Sequence, residues 1–209
     1  MRPLTSLEAR VLGVLVEKQA TVPDTYPLSL NSLVAGCNQK TARDPAMNAS
    51  DADVLEAIEG LRGLTLLNEV SGSRVTRYEH NAGRGLGVPG AAVALLATLM
   101  LRGSQTAAEL RANAERLHRF ADTSSVEAFL DELAAKVPPR VVRLARAPGS
   151  REARWAHLLC GDVAAPAASA VSEPPPPAGN ELAELRDEVA RLRALVTRLA
   201  RHAGIDPEP

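Results

Sequence analysis

Apolar residues recur along the chain in a pattern that predicts the same order of elements twice: three amphipathic helices followed by a two-stranded hairpin. The predicted helices begin at Thr5, Ser29 and Asp51 in the first block, and at about Val93, at Thr106 and at Ser124 in the second. The predicted strands are Leu67–Val70, Val75–His80, Val141–Arg146 and Ala153–Leu158. Thr5 and Thr106 each precede a glutamate by three residues, which is the spacing of a capping box. Three helices and a terminal hairpin are typical of the winged-helix variant of the helix-turn-helix motif.

A nine-residue repeat supports the division into two blocks. Residues 72–80 and 149–157 share the pattern Gly-Ser-Arg-x-x-Arg-aromatic-x-His. Agreement at six of nine positions rarely arises by chance, so it indicates two copies of one small unit. We therefore predict tandem winged-helix domains over residues 1–87 and 88–162, in an α+β fold that is mainly α with small β-hairpins.

The composition changes after the second block. Residues 163–180 are rich in Ala, Pro and Ser and include four consecutive prolines at 174–177, which predicts an extended tether. Residues 181–203 carry apolar residues at the a and d positions of about three heptads, which predicts a coiled-coil helix and a parallel homodimer. The predicted dimer contacts are Leu182, Leu185, Val189, Leu192, Val196 and Leu199. An amphipathic helix that folds back on its own chain is the alternative interpretation.

Composition excludes several classes of protein. With 45% hydrophobic and 23% charged residues, the chain has the make-up of an ordinary globular protein. Its five aromatic residues are too few for a base-stacking platform, and no apolar run reaches the roughly 18–20 residues of a membrane helix. Cys37 and Cys160 show neither a metal-site spacing nor a disulfide framework, which favours a cytoplasmic protein.

Several motifs resemble a known bacterial family. They are YPLS at 26–29 and CNQKT at 37–41 in the first block, and RGSQT at 102–106 in the second. Over about residues 4–160 the chain resembles the uncharacterised proteins grouped as DUF480 (UPF0502, YceH-like). The resemblance implies a tandem winged-helix fold in a bacterial cytosolic protein, and it implies no activity. The heptads near the C-terminus lie outside the most recognisable part.

The third helix of each block carries negative charge on its outward face. Asp53, Glu56 and Glu59 face outward in the first block, and Asp131 and Glu132 do so in the second. A winged-helix protein usually places this helix in the major groove of DNA, close to phosphates. Because like charges at close range repel, the sequence disfavours conventional reading of the major groove.

Positive charge lies instead on the predicted hairpins and in the loop before the first acidic helix. The candidate nucleic-acid-binding residues are Lys40, Arg43, Arg74, Arg77, Arg140, Arg143, Arg146, Arg151 and Arg154. We expect them to contact the phosphate backbone of DNA or RNA, with salt-dependent affinity and little sequence information. A solvated arginine strand paired with nearby acids is the structural alternative. A protein–protein adaptor, whose acidic third helices engage a basic partner, is the functional alternative.

The sequence offers little support for an enzyme. His80 and His157 each follow a strand aromatic and fit structural histidines better than catalytic bases. The glycine-rich stretch Gly83–Gly87 follows a hairpin rather than the strand of a βαβ unit, so it is interpreted as a linker. We find no phosphate loop, no zinc-binding helix motif and no metal-spaced cluster, and we predict a non-catalytic protein without a cofactor.

Overall fold

Residues 1–161 contain seven α-helices and two small antiparallel sheets, counted over the part of the chain that the structure describes. The structure is a computed structural model, and it describes residues 1–71, 75–146, 152–161 and Arg191. The helices are α1 (Ser6–Thr21), α2 (Leu30–Cys37), α3 (Asp51–Gly63), α4 (Ala82–Leu86), α5 (Gly90–Arg102), α6 (Ala107–Ala114) and α7 (Thr123–Ala134). The strands are β1 (Leu28–Ser29), β2 (Leu67–Val70), β3 (Arg77–His80), β4 (Val141–Arg143) and β5 (Trp155–His157). A mixed helical fold with small antiparallel sheets is therefore confirmed.

The predicted tether and coiled-coil helix lie outside the described residues, with the single exception of Arg191. The same holds for every predicted dimer contact, namely Leu182, Leu185, Val189, Leu192, Val196 and Leu199. The homodimer and the coiled coil consequently stay predictions.

Side-chain caps determine where the helices begin. Thr5 and Glu8 form the predicted capping box: the Glu8 amide donates to Thr5 Oγ1 at 3.1 Å, and the Thr5 amide donates to Glu8 Oε2 at 2.7 Å. Thr106 opens α6 with an equivalent box. The predicted start of α7 at Ser124 is wrong, because Asp122 accepts the Ser125 amide at 2.7 Å and starts the helix earlier.

Both hairpins form, but three of their strands are shorter than predicted. β3 lacks the residues before Arg77, and β4 and β5 stop short of the predicted ends. Val75 and Arg146 in those stretches are exposed, but Leu144 is half-buried. Backbone pairing also continues beyond β4, because the Leu144 amide donates to the Arg154 carbonyl at 2.8 Å.

The two halves repeat their geometry with the spacing that the sequence repeat has. Helices α2 and α6 both contain eight residues, and the offset between them along the chain equals the offset between the two copies of the repeat. In the first half Leu28 pairs with Tyr78 across β1 and β3, and in the second half Gln105 pairs with Trp155. Each partner of the second pair follows its counterpart by this same offset, so the second helix and the hairpin occupy equivalent places in both halves.

A continuous apolar core joins the halves, and residues 1–163 form one compact unit. Helix α1 of the first half packs along α5 of the second half, and both helices are buried through most of their length. Gly13 permits their close approach, because a Cβ there would lie 3.0 Å from the Leu101 side chain. The division into two domains, over 1–87 and 88–162, stays a prediction. The buried apolar residues of the two halves form one cluster without a gap.

The stretch interpreted as a linker overlaps helix α4, whose Ala82 and Leu86 side chains are buried in the shared core. Gly87 ends this short helix with a φ of +66°, a left-handed conformation that glycine adopts readily. The connection between the halves is therefore a packed element.

The first residues of the chain pair with the last described residues of this unit. The Leu4 amide donates to the Leu159 carbonyl at 2.8 Å, and both side chains are buried. The Cys160 thiol lies 3.7 Å from the Thr5 carbonyl. No helix within the described ranges is both long and apolar enough to span a membrane.

Candidate functional site

Arg43, predicted to bind nucleic acid, is buried with a side-chain exposure of 0%. Its Nη2 atom lies 2.6 Å from Glu17 Oε2 and also donates to Gln39 Oε1, and its Nε atom donates to the Gly36 carbonyl at 3.1 Å. Burial raises the pKa of Glu17, but Arg43, with help from Lys18, more than offsets this and lowers it overall. A side chain in this position joins α1 to the loop after α2 and does not reach a phosphate.

A second buried arginine, which the sequence analysis missed, fixes the same loop. Arg10 lies in the apolar centre of α1 and donates to the carbonyls of Cys37 at 3.1 Å and Pro45 at 2.6 Å. Its pKa is lowered, mainly by burial and then by the neighbouring Arg43. The available signal was a single charge inside an otherwise apolar helical run.

Arg77 and Arg154 have equivalent structural roles in the two halves. Arg77 donates to the Pro27 carbonyl at 2.8 Å, and Arg154 donates to the Ser104 carbonyl at 2.8 and 3.0 Å. Each carbonyl lies two residues before the cap of the second helix in its half. Arg154 also forms an ion pair with Glu109 at 2.9 Å. The repeated arginine thus anchors each hairpin to the start of a helix, which accounts for its recurrence in the motif.

The remaining candidates differ in exposure. Arg140 is half-buried, with Nη2 3.4 Å from the Leu86 carbonyl, whereas Lys40, Arg143 and Arg146 are exposed. Within the described ranges, none of these three exposed cations has a carboxylate within 4 Å. Arg74 and Arg151 lie outside the described residues.

Arg143 and Arg146, which we call the basic edge, line one cleft of about 540 Å³. The Arg143 guanidinium lies 5.8 Å from the ring centroid of Trp155, a cation–π distance. The cleft also borders the start of α7, which favours an anion. Two acids, Glu127 and Glu152, line the same cleft and offset the positive charge.

A larger cleft of about 730 Å³ lies between the start of α1, the loop before α3, and α3 itself. We call it the acidic cleft. Asp53, Glu56 and Glu59 line it and are exposed, as the sequence analysis expected of this helix face. Its apolar lining includes Leu7 and Ala57, so the cleft combines carboxylates with an apolar surface.

A buried carboxylate in the acidic cleft holds a guanidinium. The Glu8 side chain is 4% exposed and Arg2 is 48% exposed; the nitrogen-to-oxygen distances are 2.5 and 2.8 Å. The Arg2 hydrogen bond is the largest effect on the pKa of Glu8 and lowers it, although burial acts in the opposite direction. The sequence pattern indicated only the capping-box role of Glu8 and gave no sign of its pairing with Arg2. Gly60, in the interior of α3, faces the pair, and a Cβ there would overlap Glu8 Oε1.

The histidines and the cysteine that were weighed as catalytic groups are buried or hydrogen-bonded within the fold. Burial lowers the pKa of His157 to about 4 and raises the pKa of Cys37 to about 12, so both groups are neutral near pH 7. His80 Nε2 lies 2.8 Å from the side-chain oxygen of Gln19. Among the described residues, no group of three acidic, histidine or cysteine side chains could hold a metal ion.

The chain is similar to proteins that carry no assigned activity. A family described as "Protein of unknown function, DUF480" matches residues 4–150. A UPF0502 protein of Leptothrix cholodnii is 66% identical, over 100% of this chain and 99% of the relative. A UPF0502 protein of Burkholderia pseudomallei is 63% identical over 99% and 92%, and one of Cupriavidus taiwanensis is 60% identical over 100% and 90%.

Proposed function

The chain belongs to the DUF480 family of proteins of unknown function, and from that premise we propose that it is a non-catalytic protein–protein adaptor built on two winged-helix units. The acidic cleft of the first half is its binding surface, and the partner is a basic segment of another protein. The observation that carries this proposal is the exposed row of α3 carboxylates beside an apolar lining. A basic amphipathic segment matches both features.

The winged-helix assignment is supported by the order of elements in each half. Three helices precede a hairpin in both, and the second helix and the hairpin pairing recur at one common offset along the chain. An additional strand, β1, pairs with the hairpin in the first half, in line with a small three-stranded wing sheet. A location in the bacterial cytoplasm is supported separately, because Cys37 and Cys160 are both free thiols and the cytoplasm is reducing.

The non-catalytic assignment is supported by the chemistry of the candidate groups. Cys37 is buried and its pKa is about 12, whereas a nucleophilic thiol needs a lowered pKa. His157 is held neutral by burial, and its Nδ1 atom has no hydrogen-bond partner within the described residues. A catalytic base normally has a second group that orients it.

The adaptor proposal is tested with a fluorescent amphipathic peptide of leucine and arginine, titrated with the full chain. The double variant Glu56→Gln, Glu59→Gln should weaken binding about tenfold, since each exposed ion pair is worth up to about 1 kcal/mol. The matched control is Asp131→Asn, Glu132→Gln, which removes the same charge from α7. Equal affinity for the two double variants, or no binding of the peptide at low salt, overturns the proposal.

Phosphate-backbone contact is a second candidate function, favoured by the shared cleft of Arg143 and Arg146. Of the predicted phosphate-binding residues, the exposed ones that remain candidates are Lys40 and the two arginines of the basic edge. Arg74 and Arg151 lie outside the described residues and stay predictions. Anisotropy of a labelled DNA duplex should fall with salt, and Arg143→Ala with Arg146→Ala should reduce the logarithmic salt slope by about two. An unchanged slope rejects this candidate.

Dimerisation through residues 181–203 is proposed separately. Two chains would double the number of binding surfaces and raise the apparent affinity for a partner with two sites. Removal of residues 178–209 should halve the mass measured by light scattering. An unaltered mass rejects the dimer and leaves the adaptor proposal intact.

A further inference from the structure

The acidic cleft contains one position that is already occupied by a guanidinium from the same chain. Both Glu8 carboxylate oxygens face Arg2 nitrogens, at 2.5 and 2.8 Å. Oxygen Oε2 is held in addition by the Thr5 amide at 2.7 Å, so the capping box fixes the orientation of the carboxylate. Paired oxygens in a fixed plane match the fork of a guanidinium and not the single ammonium of lysine.

The two members of this pair are held very differently. The Glu8 side chain is 4% exposed and its Oε2 atom is held by the Thr5 amide independently of Arg2, whereas Arg2 is 48% exposed. Apart from Glu8, the hydrogen bond that the structure gives the Arg2 side chain is to the neighbouring Pro3 carbonyl at 2.9 Å. A guanidinium from outside could therefore replace Arg2 while the carboxylate stays in place.

The facing helix leaves room for this guanidinium. Gly60 lies inside α3, where glycine is less favourable than alanine because it loses more backbone freedom on folding. A Cβ at this position would overlap Glu8 Oε1 and lie 2.8 Å from Arg2 Nη2. Gly63, at the end of the same helix, has nothing within 4 Å of the equivalent point. The bare backbone at Gly60 thus makes space for the Glu8 carboxylate and its guanidinium partner.

We infer that Glu8 and Gly60 form an arginine-specific subsite of the acidic cleft, in which Arg2 is an internal occupant that a partner's arginine displaces. The inference rests on the proposed adaptor function and names the chemistry of its ligand. The ligand is an arginine side chain in a segment whose flanking basic residues meet Glu56 and Glu59 and whose apolar residues meet Leu7. Only the molecules in which Arg2 has left the subsite can bind the partner's arginine. The apparent association constant is therefore the intrinsic constant multiplied by the fraction of molecules with a free subsite.

Peptide binding provides the first test. The probes are the leucine–arginine peptide of the adaptor test and a copy with lysine at every arginine position. Arg2→Ala should tighten binding of the arginine peptide about tenfold, and the lysine copy should bind about tenfold more weakly to the same variant. Gly60→Ala should abolish the preference for arginine, while the matched Gly63→Ala variant keeps it.

Rescue by a small cation provides the second test and is independent of peptide design. Arg2→Ala leaves Glu8 without its guanidinium, so ethylguanidinium should raise the midpoint of thermal unfolding of this variant more than ethylammonium does. Each cation should change the midpoint of thermal unfolding equally in the unmodified chain and in the Gly63→Ala variant. Equal effects of the two cations on Arg2→Ala overturn the inference.

The outcomes separate the two proposals. If no peptide binds any variant, the adaptor function fails and the inference fails with it. If the peptides bind and depend on Glu56 and Glu59, but Arg2→Ala and the change to lysine leave affinity unaltered, the arginine subsite alone is rejected. Circular dichroism of each variant shows whether the fold is retained.

Discussion

Replacing Arg43 by methionine distinguishes a structural arginine from a nucleic-acid contact. Methionine keeps most of the side-chain volume but removes the charge and every hydrogen bond that Arg43 donates. Glu17 then remains partly buried, at 18% exposure, without its strongest partner. Removal of one member of a buried ion pair typically costs about 3–5 kcal/mol. Lys18 remains 3.3 Å from Glu17, so we expect the lower end, about 3 kcal/mol.

Urea unfolding followed by circular dichroism measures this loss. With a slope of about 2 kcal/mol per molar urea, a loss of about 3 kcal/mol lowers the midpoint by about 1.5 M. Lys40→Met is the matched control, because Lys40 is exposed in the same loop and such substitutions change stability by less than about 0.5 kcal/mol. If Arg43→Met and Lys40→Met have equal midpoints, and both weaken DNA binding, Arg43 belongs to an interface and our interpretation is refuted.

The pH dependence gives an independent check on the same pair. Because the pKa of Glu17 is lowered in the folded protein, its contribution to stability is present above the unfolded pKa of about 4.3. It is lost as the pH falls through the lower, folded value. The difference in unfolding free energy between the unmodified chain and Arg43→Met should therefore narrow below about pH 4.3. A constant difference down to acid unfolding contradicts the assignment.

Two further experiments test the packing. Gly36→Ala places a methyl group 2.6 Å from Val14 Cγ1 and should lower the free energy of unfolding by about 1–3 kcal/mol. The control Gly63→Ala meets open space and should be neutral or stabilising. Equal melting temperatures of the two variants would contradict the close contact at Gly36. Leu33→Ala in the first half should cost about 2–5 kcal/mol, and the fluorescence of the sole tryptophan, Trp155 in the second half, should report the same lowered urea midpoint as circular dichroism. A tryptophan transition that stays in place indicates two independent cores.

The features that the sequence predicted well depend on residues close together along the chain. Thr5 and Thr106 cap the helices that they were expected to start, since a capping box spans only four residues. The acidic face of α3 follows from helical spacing, which the sequence displays directly. Asp122 was missed because its box closes on a serine in place of the usual Glu or Gln.

The features that the sequence did not predict depend on distant partners. Arg43 meets Glu17 across 26 residues, and no local pattern distinguishes that arginine from an exposed one. Arg154 forms an ion pair with Glu109. This agrees with the alternative interpretation, in which the strand arginines pair with nearby acids. The shared core was missed because α1 and α5 each present an apolar stripe, and a stripe does not identify the helix that covers it.

The hydrogen bond between the Leu4 amide and the Leu159 carbonyl has a consequence for synthesis on the ribosome. It joins a segment that precedes α1 to one at the end of the second half, which is translated after α7 and both strands of the second hairpin. Helix α1 packs against α2 and α3 of its own half, but the part of its apolar surface that faces α5 is covered only when the second half is made. Co-translational folding of the first half is therefore incomplete while the second half is still inside the exit tunnel, and the nascent chain exposes a binding surface for chaperones during that interval.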